Sequence, residues 1–170
     1  FLLAARSLGV SFERTATIGR QRLDISPRML RRRLATFGTT VAGEDIRHLF
    51  DENGFGEPFL RLLGATRTES IDASAYEGAS RVLDLNQTLP PELEGRFTAV
   101  IDAGSLEHVF DVQTALRNCM AMVAPDGHFL SIAAANNMMG HGFYQFSPEL
   151  FYRVFSEANG FTVERMLVTG

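Results

Sequence analysis

The stretch "FTAVIDAGSLEHVFD", residues 97 to 111, sets a carboxylate beside an imidazole, Glu107 and His108, just after an apolar run that ends in small residues. A carboxylate accepts hydrogen bonds or a cation, and an imidazole moves a proton near neutral pH. The pair could therefore hold a polar substrate or share in acid–base chemistry. In open α/β sheets, ligands collect outside the carboxyl ends of the strands. If "FTAVIDA" is a strand, Asp102 and Glu107 stand at such an end, and Gly104 and Ser105 let the backbone approach a ligand closely. Two plainer roles compete: Glu107 capping the helix that follows, and His108 packing against the sheet.

A second group of candidates lies in "NNMMGHGFYQFSP", residues 136 to 148. Gly140 and Gly142 can adopt backbone angles closed to other residues, which would hold His141 at an exposed bend as a general base. Phe143 and Tyr144 would shape an apolar acceptor pocket beside it. Alternatively the aromatics pack this loop onto a sheet, and His141 only bonds the backbone. Glu107 and His108 would join a metal site only if a third ligand came from elsewhere. Gly104 offers none one turn earlier, and the four histidines are scattered, so no metal is expected.

The elements that must position these groups alternate between apolar β-rich runs and helical patterns, which indicates an α/β sheet. The strands expected are "RTATIG", "RTESID", "SRVLDL", "FTAVIDA", "HFLSIAAA" and a last one in "FTVERMLV". Between them, "SPRMLRRRLATFG" and "SPELFYRVFSEANGF" each open with Ser as N-cap and Pro at the first helical position. "DVQTALRNCMAMVAPDG" has helical spacing with a Pro-Asp-Gly stop. The Arg31–Arg33 run spreads around its helix and reads as a solvated face.

Size and composition bound the function. With 170 residues, 45% hydrophobic and 21% charged, the chain should form one folded domain over residues 1–170, either whole or a fragment of a longer protein. All sixteen basic residues are Arg, and twenty acids leave a net charge of -4. Nothing in that balance favours nucleic acid or a membrane surface as partner. The single Cys119 excludes a disulfide framework and makes a reducing, cytoplasmic location the expectation. Phosphate-loop, nucleophile-elbow and H-E-x-x-H signatures are missing.

"RFTAVIDAGSLEHVFDVQTALRNCMAMVAPDGHFLSI", with "ESIDASAYEGASRVLDLNQTLP" before it, resembles class I S-adenosylmethionine-dependent methyltransferases. The likeness covers about residues 67 to 135. It implies a Rossmann-like, mostly parallel sheet with helices on both faces and S-adenosylmethionine as cofactor, and the missing NPPY-like motif together with the acidic charge balance makes a small molecule the expected methyl acceptor. By position it implies that Asp72 meets the cofactor ribose, that Asp84 and Leu85 meet the adenine, and that Ala103, Gly104 and Ser105 pass the methionine part. The family's Gly-rich first turn is reduced here to Gly19, and Asp72 lies 53 positions later, against roughly 20 in the dinucleotide fingerprint. An extra helix or two must intervene. Arg20 and Gln21 stand where the Gly-rich backbone would be, and the Arg20 fork could either hold the methionine carboxylate or lie in a surface salt bridge. The sequence stops soon after the sixth expected strand, where such sheets normally finish with another antiparallel one, so either the protein is a fragment or its sheet is reduced. A noncatalytic domain that keeps this fold for scaffolding or partner binding is the alternative.

Overall fold

The computed structural model describes residues 1–169. Five strands form one parallel sheet: β1 (Arg14–Ile18), β2 (Arg67–Asp72), β3 (Arg81–Val82), β4 (Phe97–Ala103) and β5 (Val123–Ile132), in the order β3-β2-β1-β4-β5. The chain steps outward from β1 through β2 to β3, then returns to lay β4 along the other flank of β1. Strand order therefore reverses between β1 and β4, and the loops leaving those two strands part company there. Such a switch point is where α/β sheets hold ligands.

Both faces of the sheet are covered, as an α/β fold with parallel strands requires. Alternation along β4 sends Ala99 and Ile101 into one core and Val100 into the other. The first core is closed by α1 (Leu2–Ser7), α2 (Pro27–Thr36), a 3-10 turn at Asp45–Leu49 and α3 (Glu57–Leu62). The second is closed by α4 (Val112–Met122), the end of α5 (Pro148–Val154) and a series of rings in which Phe129, Phe155 and Phe151 stack in turn. The elements between Gly19 and Asp72 account for the long separation of those residues. Helix starts follow the sequence grammar, with Ser26 accepting from Met29 N at 3.3 Å and Ser147 from Glu149 N at 3.3 Å.

Three strand expectations change. "SRVLDL" pairs only at Arg81–Val82, because Asp84 accepts from Asn86 N at 2.9 Å and turns the chain away. The fifth strand starts at Val123, before the Pro125-Asp126-Gly127 stop, which becomes an irregularity inside the strand. Val123 pairs with Phe97 and His128 with Ala99, so the extra residues are looped out, with Asp126 at φ 60°. "FTVERMLV" forms no strand among the described residues. Phe161 and Val163 dock on the second core through their side chains, and packing there takes the place of ladder bonds.

Candidate functional site

Asp102, one residue before the end of β4, has no exposed surface and organises the turn beyond the strand. Its Oδ1 accepts from Ser105 N at 3.1 Å and Leu106 N at 3.2 Å, and its Oδ2 from the Ser131 hydroxyl at 3.2 Å. Burial pushes its pKa up to about 6, against the opposing pull of these bonds and with help from the nearby Glu107. The pinned turn folds as a 3-10 segment, Leu106–His108. It buries Leu106 and Glu107 and leaves His108 exposed.

Capping of the following helix falls to Asp111, which accepts from Thr114 N at 3.1 Å and the Thr114 hydroxyl at 2.7 Å. Glu107 faces the loop from the end of β5 instead. Its backbone oxygen accepts from Phe143 N at 2.7 Å and Tyr144 N at 3.2 Å. Gly142 fits this seam because it has no side chain: a Cβ there would lie 2.7 Å from the Glu107 carbonyl oxygen. The seam brings His141 Nε2 to 3.5 Å from Glu107 Oε1 and sets the rings of His108 and His141 edge-on, 4.8 Å apart. The other carboxylate oxygen, Glu107 Oε2, is buried with no hydrogen-bond partner.

Tyr144 donates its hydroxyl to the Phe110 carbonyl at 2.6 Å and stacks on Phe146, so it anchors the loop. Phe143 is exposed and meets Phe110 edge-on, giving the rim beside His141 an apolar surface. Tyr144 and Phe146 thus pack this loop inward, while His141 meets the Glu107 carboxylate.

On the other side of the switch point, Gly19 follows β1 at φ 70°. A Cβ there would meet Ser105 Oγ at 2.9 Å and Asp72 Oδ2 at 3.9 Å, so turns from β1, β2 and β4 converge on one spot. Ser105 donates its hydroxyl to the Ile18 carbonyl at 2.8 Å, and Gln21 donates its amide to the same oxygen. Asp72 keeps a partly exposed carboxylate that accepts from Ser74 N at 2.9 Å. Gly104 sits with Glu107 Oε1 3.6 Å from its would-be Cβ. Ala103 closes β4 in half-buried surroundings.

Arg20 is held by the protein's own anions. Its Nε donates to Glu57 at 2.6 Å, one terminal nitrogen to Asp51 at 2.8 Å and the other to the Glu77 carbonyl at 3.0 Å. The guanidinium also lies 4.0 Å over the Phe55 ring. It borders a cleft of about 400 Å³ on the α3 side of β1 and β2, shared with Gln21, Thr17, Ser70 and Ser80. Asp84 is exposed, and its carboxylate is held below the usual range by the Asn86 backbone and side-chain amides. Leu85 is buried in the second core, and its carbonyl accepts from Asn118 at 3.0 Å.

The sequence pointed to most of these positions but not to their partners. Asp51 and Glu57, which capture Arg20, carry no local signal. The approach of His141 to Glu107 is hinted at only by glycines on both sides of the histidine.

No family model matches the chain, and no curated protein matches it in sequence. Among solved structures it is similar to the CMeT domain of the citrinin polyketide synthase, at 15% identity and a TM-score of 0.44, over 73% of this chain and 29% of that one. The chain thus spans under a third of that structure's length. The chain folds as a Rossmann-like α/β domain, with polar groups from three strands converging at the carboxyl edge. Among the described residues, no helix is long and apolar enough to cross a membrane.

Proposed function

We propose that this domain binds S-adenosylmethionine and transfers its methyl group to a small-molecule acceptor. The observation that carries this reading is the convergence of Gly19, Asp72 and Ser105 at the switch point of the sheet. A close backbone approach, a carboxylate suited to a ribose diol and a hydroxyl come together where such sheets hold nucleoside cofactors. The sequence likeness around Glu107 and Asp72 supports the choice of cofactor.

Methyl transfer needs mostly placement. Holding a nucleophile in line with the departing sulfur can supply several kcal/mol of the barrier. Where the acceptor must lose a proton, His141 accepts it, with Glu107 orienting the ring and stabilising the imidazolium that forms. Phe143 and His108 line the approach, and Tyr144 fixes the loop that carries Phe143 and His141. Arg20 braces the β1 turn through Asp51 and Glu57, leaving contact with the methionine end to Ser105 and neighbouring backbone.

Calorimetric titration with S-adenosylmethionine and S-adenosylhomocysteine tests the reading. Saturable binding that Asp72→Ala weakens at least tenfold supports it. Silence from well-folded protein supports the noncatalytic alternative, which the internal pairing of Arg20 and the burial of Leu85 favour.

A further inference from the structure

We infer that Glu107, His108 and His141 form a binding site for a divalent transition-metal ion of the zinc type. Glu107 is 2% exposed, and its Oε2 has no partner. Buried carboxylates in folded proteins are paired or coordinate metals, because an uncompensated one is costly to desolvate. The sixteen arginines are the chain's only strong cations, and among the described residues none forms an ion pair with Glu107. The two groups that do face it are imidazoles, which are metal ligands as well as bases.

The spacing suits one ion. Ligand atoms about 2.1 Å from a tetrahedral ion stand about 3.4 Å apart. His141 Nε2 and Glu107 Oε1 are already 3.5 Å apart, and ligand atoms of all three residues lie within 4.8 Å of one another. Both imidazoles are exposed and have room to turn the remaining distance, whereas the carboxylate is fixed by burial. The backbone prepares the arrangement, since Phe143 N and Tyr144 N clamp the histidine-bearing loop onto the Glu107 carbonyl.

Donor chemistry selects the ion. One carboxylate with two nitrogens suits Zn²⁺, Co²⁺ or Fe²⁺, while Mg²⁺ and Ca²⁺ prefer oxygen shells. Three protein ligands leave a coordination position open, as catalytic sites do. The inference does not depend on methyl transfer. Where both hold, metal and proton compete for the same nitrogen of His141, so the ion displaces the imidazole from its role as base.

The test is calorimetric titration of chelator-stripped protein with ZnCl₂, CoCl₂ and MgCl₂, with thermal unfolding followed in parallel. One equivalent of Zn²⁺ or Co²⁺ should bind and raise the melting temperature, with no response to Mg²⁺. Glu107→Gln, His108→Ala and His141→Ala should each lower Zn²⁺ affinity at least tenfold, while His48→Ala and His128→Ala leave it unchanged. Bound Co²⁺ should give the intense visible absorption of a four-coordinate site. Absence of binding in folded wild-type protein, or affinity indifferent to Glu107→Gln, overturns the inference. Zinc binding without S-adenosylmethionine binding leaves the metal site standing and removes only the methyl-transfer reading.

Discussion

Arg20, just after β1, and Glu107, just after β4, are largely buried charged side chains on neighbouring loops of one sheet edge, and they have opposite surroundings. Arg20 meets two carboxylates, a carbonyl and an aromatic face, so nearly all its donors are used. Glu107 meets one imidazole and leaves an oxygen without a partner. A satisfied cluster rigidifies a loop and has little left to offer a ligand, whereas an unsatisfied buried group keeps its interaction for something that arrives. On the proposed reading, Arg20 braces the first turn from beside the cofactor, and Glu107 holds unspent binding chemistry at the second.

The largest expected effect lies in the seam that carries His141. Gly142→Ala places a methyl group 2.7 Å from the Glu107 carbonyl at φ 70°. Overpacking and left-handed strain together should cost about 3–4 kcal/mol in thermal or denaturant unfolding. Gly140→Ala, at φ 82° with nothing within 4 Å, should lose only about 1 kcal/mol. Equal losses would mean that the loop is not clamped on Glu107.

The two regions also titrate in opposite senses. Asp102 has its pKa raised from 3.8 to about 6, so the folded protein keeps a proton that the unfolded chain has released. Stability should therefore fall as pH rises from about 4 to about 6, by about 3 kcal/mol at 1.36 kcal/mol per pH unit, and Asp102→Asn should flatten that slope. Near Arg20, desolvation raises the Asp51 pKa, but the Phe55 and Asn53 amides and the guanidinium more than offset it and hold it below the usual range. Its contribution is present at neutral pH and is lost as pH falls below about 4. Unfolding curves of wild type and Asp51→Asn across pH 3 to 7 separate the two.

Removing a partner from the satisfied cluster should be costly. Arg20→Ala strands Asp51 and Glu57, whose side chains are about one-fifth exposed, and should cost about 2 kcal/mol. Arg20→Lys should recover less than half, since an ammonium cannot reproduce the planar fork.

The smallest change should have the opposite sign. Glu107→Gln in metal-free protein should raise stability by about 1 kcal/mol, because an amide of the same shape removes an uncompensated buried carboxylate. A loss as large as that of Arg20→Ala would show that Glu107 serves structure, and the contrast between the two turns would fail.

The sequence by itself determined the elements whose causes are local. β-rich runs and the residues that end them placed β1, β2 and β4 within a residue or so of their observed ends, and Ser-Pro pairs marked the starts of α2 and α5. The Glu-His turn after β4 was legible because an apolar strand ending in Asp102, Gly104 and Ser105 is a local pattern. Tertiary structure decided which of these groups meet. Ion pairing in the fold gave Arg20 to Asp51 and Glu57, more than thirty positions away. Core packing took Leu85 inward and docked Phe161 and Val163 as anchors of a segment without ladder bonds. The Gly142 seam carried His141 to Glu107, 34 positions earlier in the chain. Secondary structure follows the periodicity of neighbouring residues, but the partner of a buried charge depends on which distant loop closes over it.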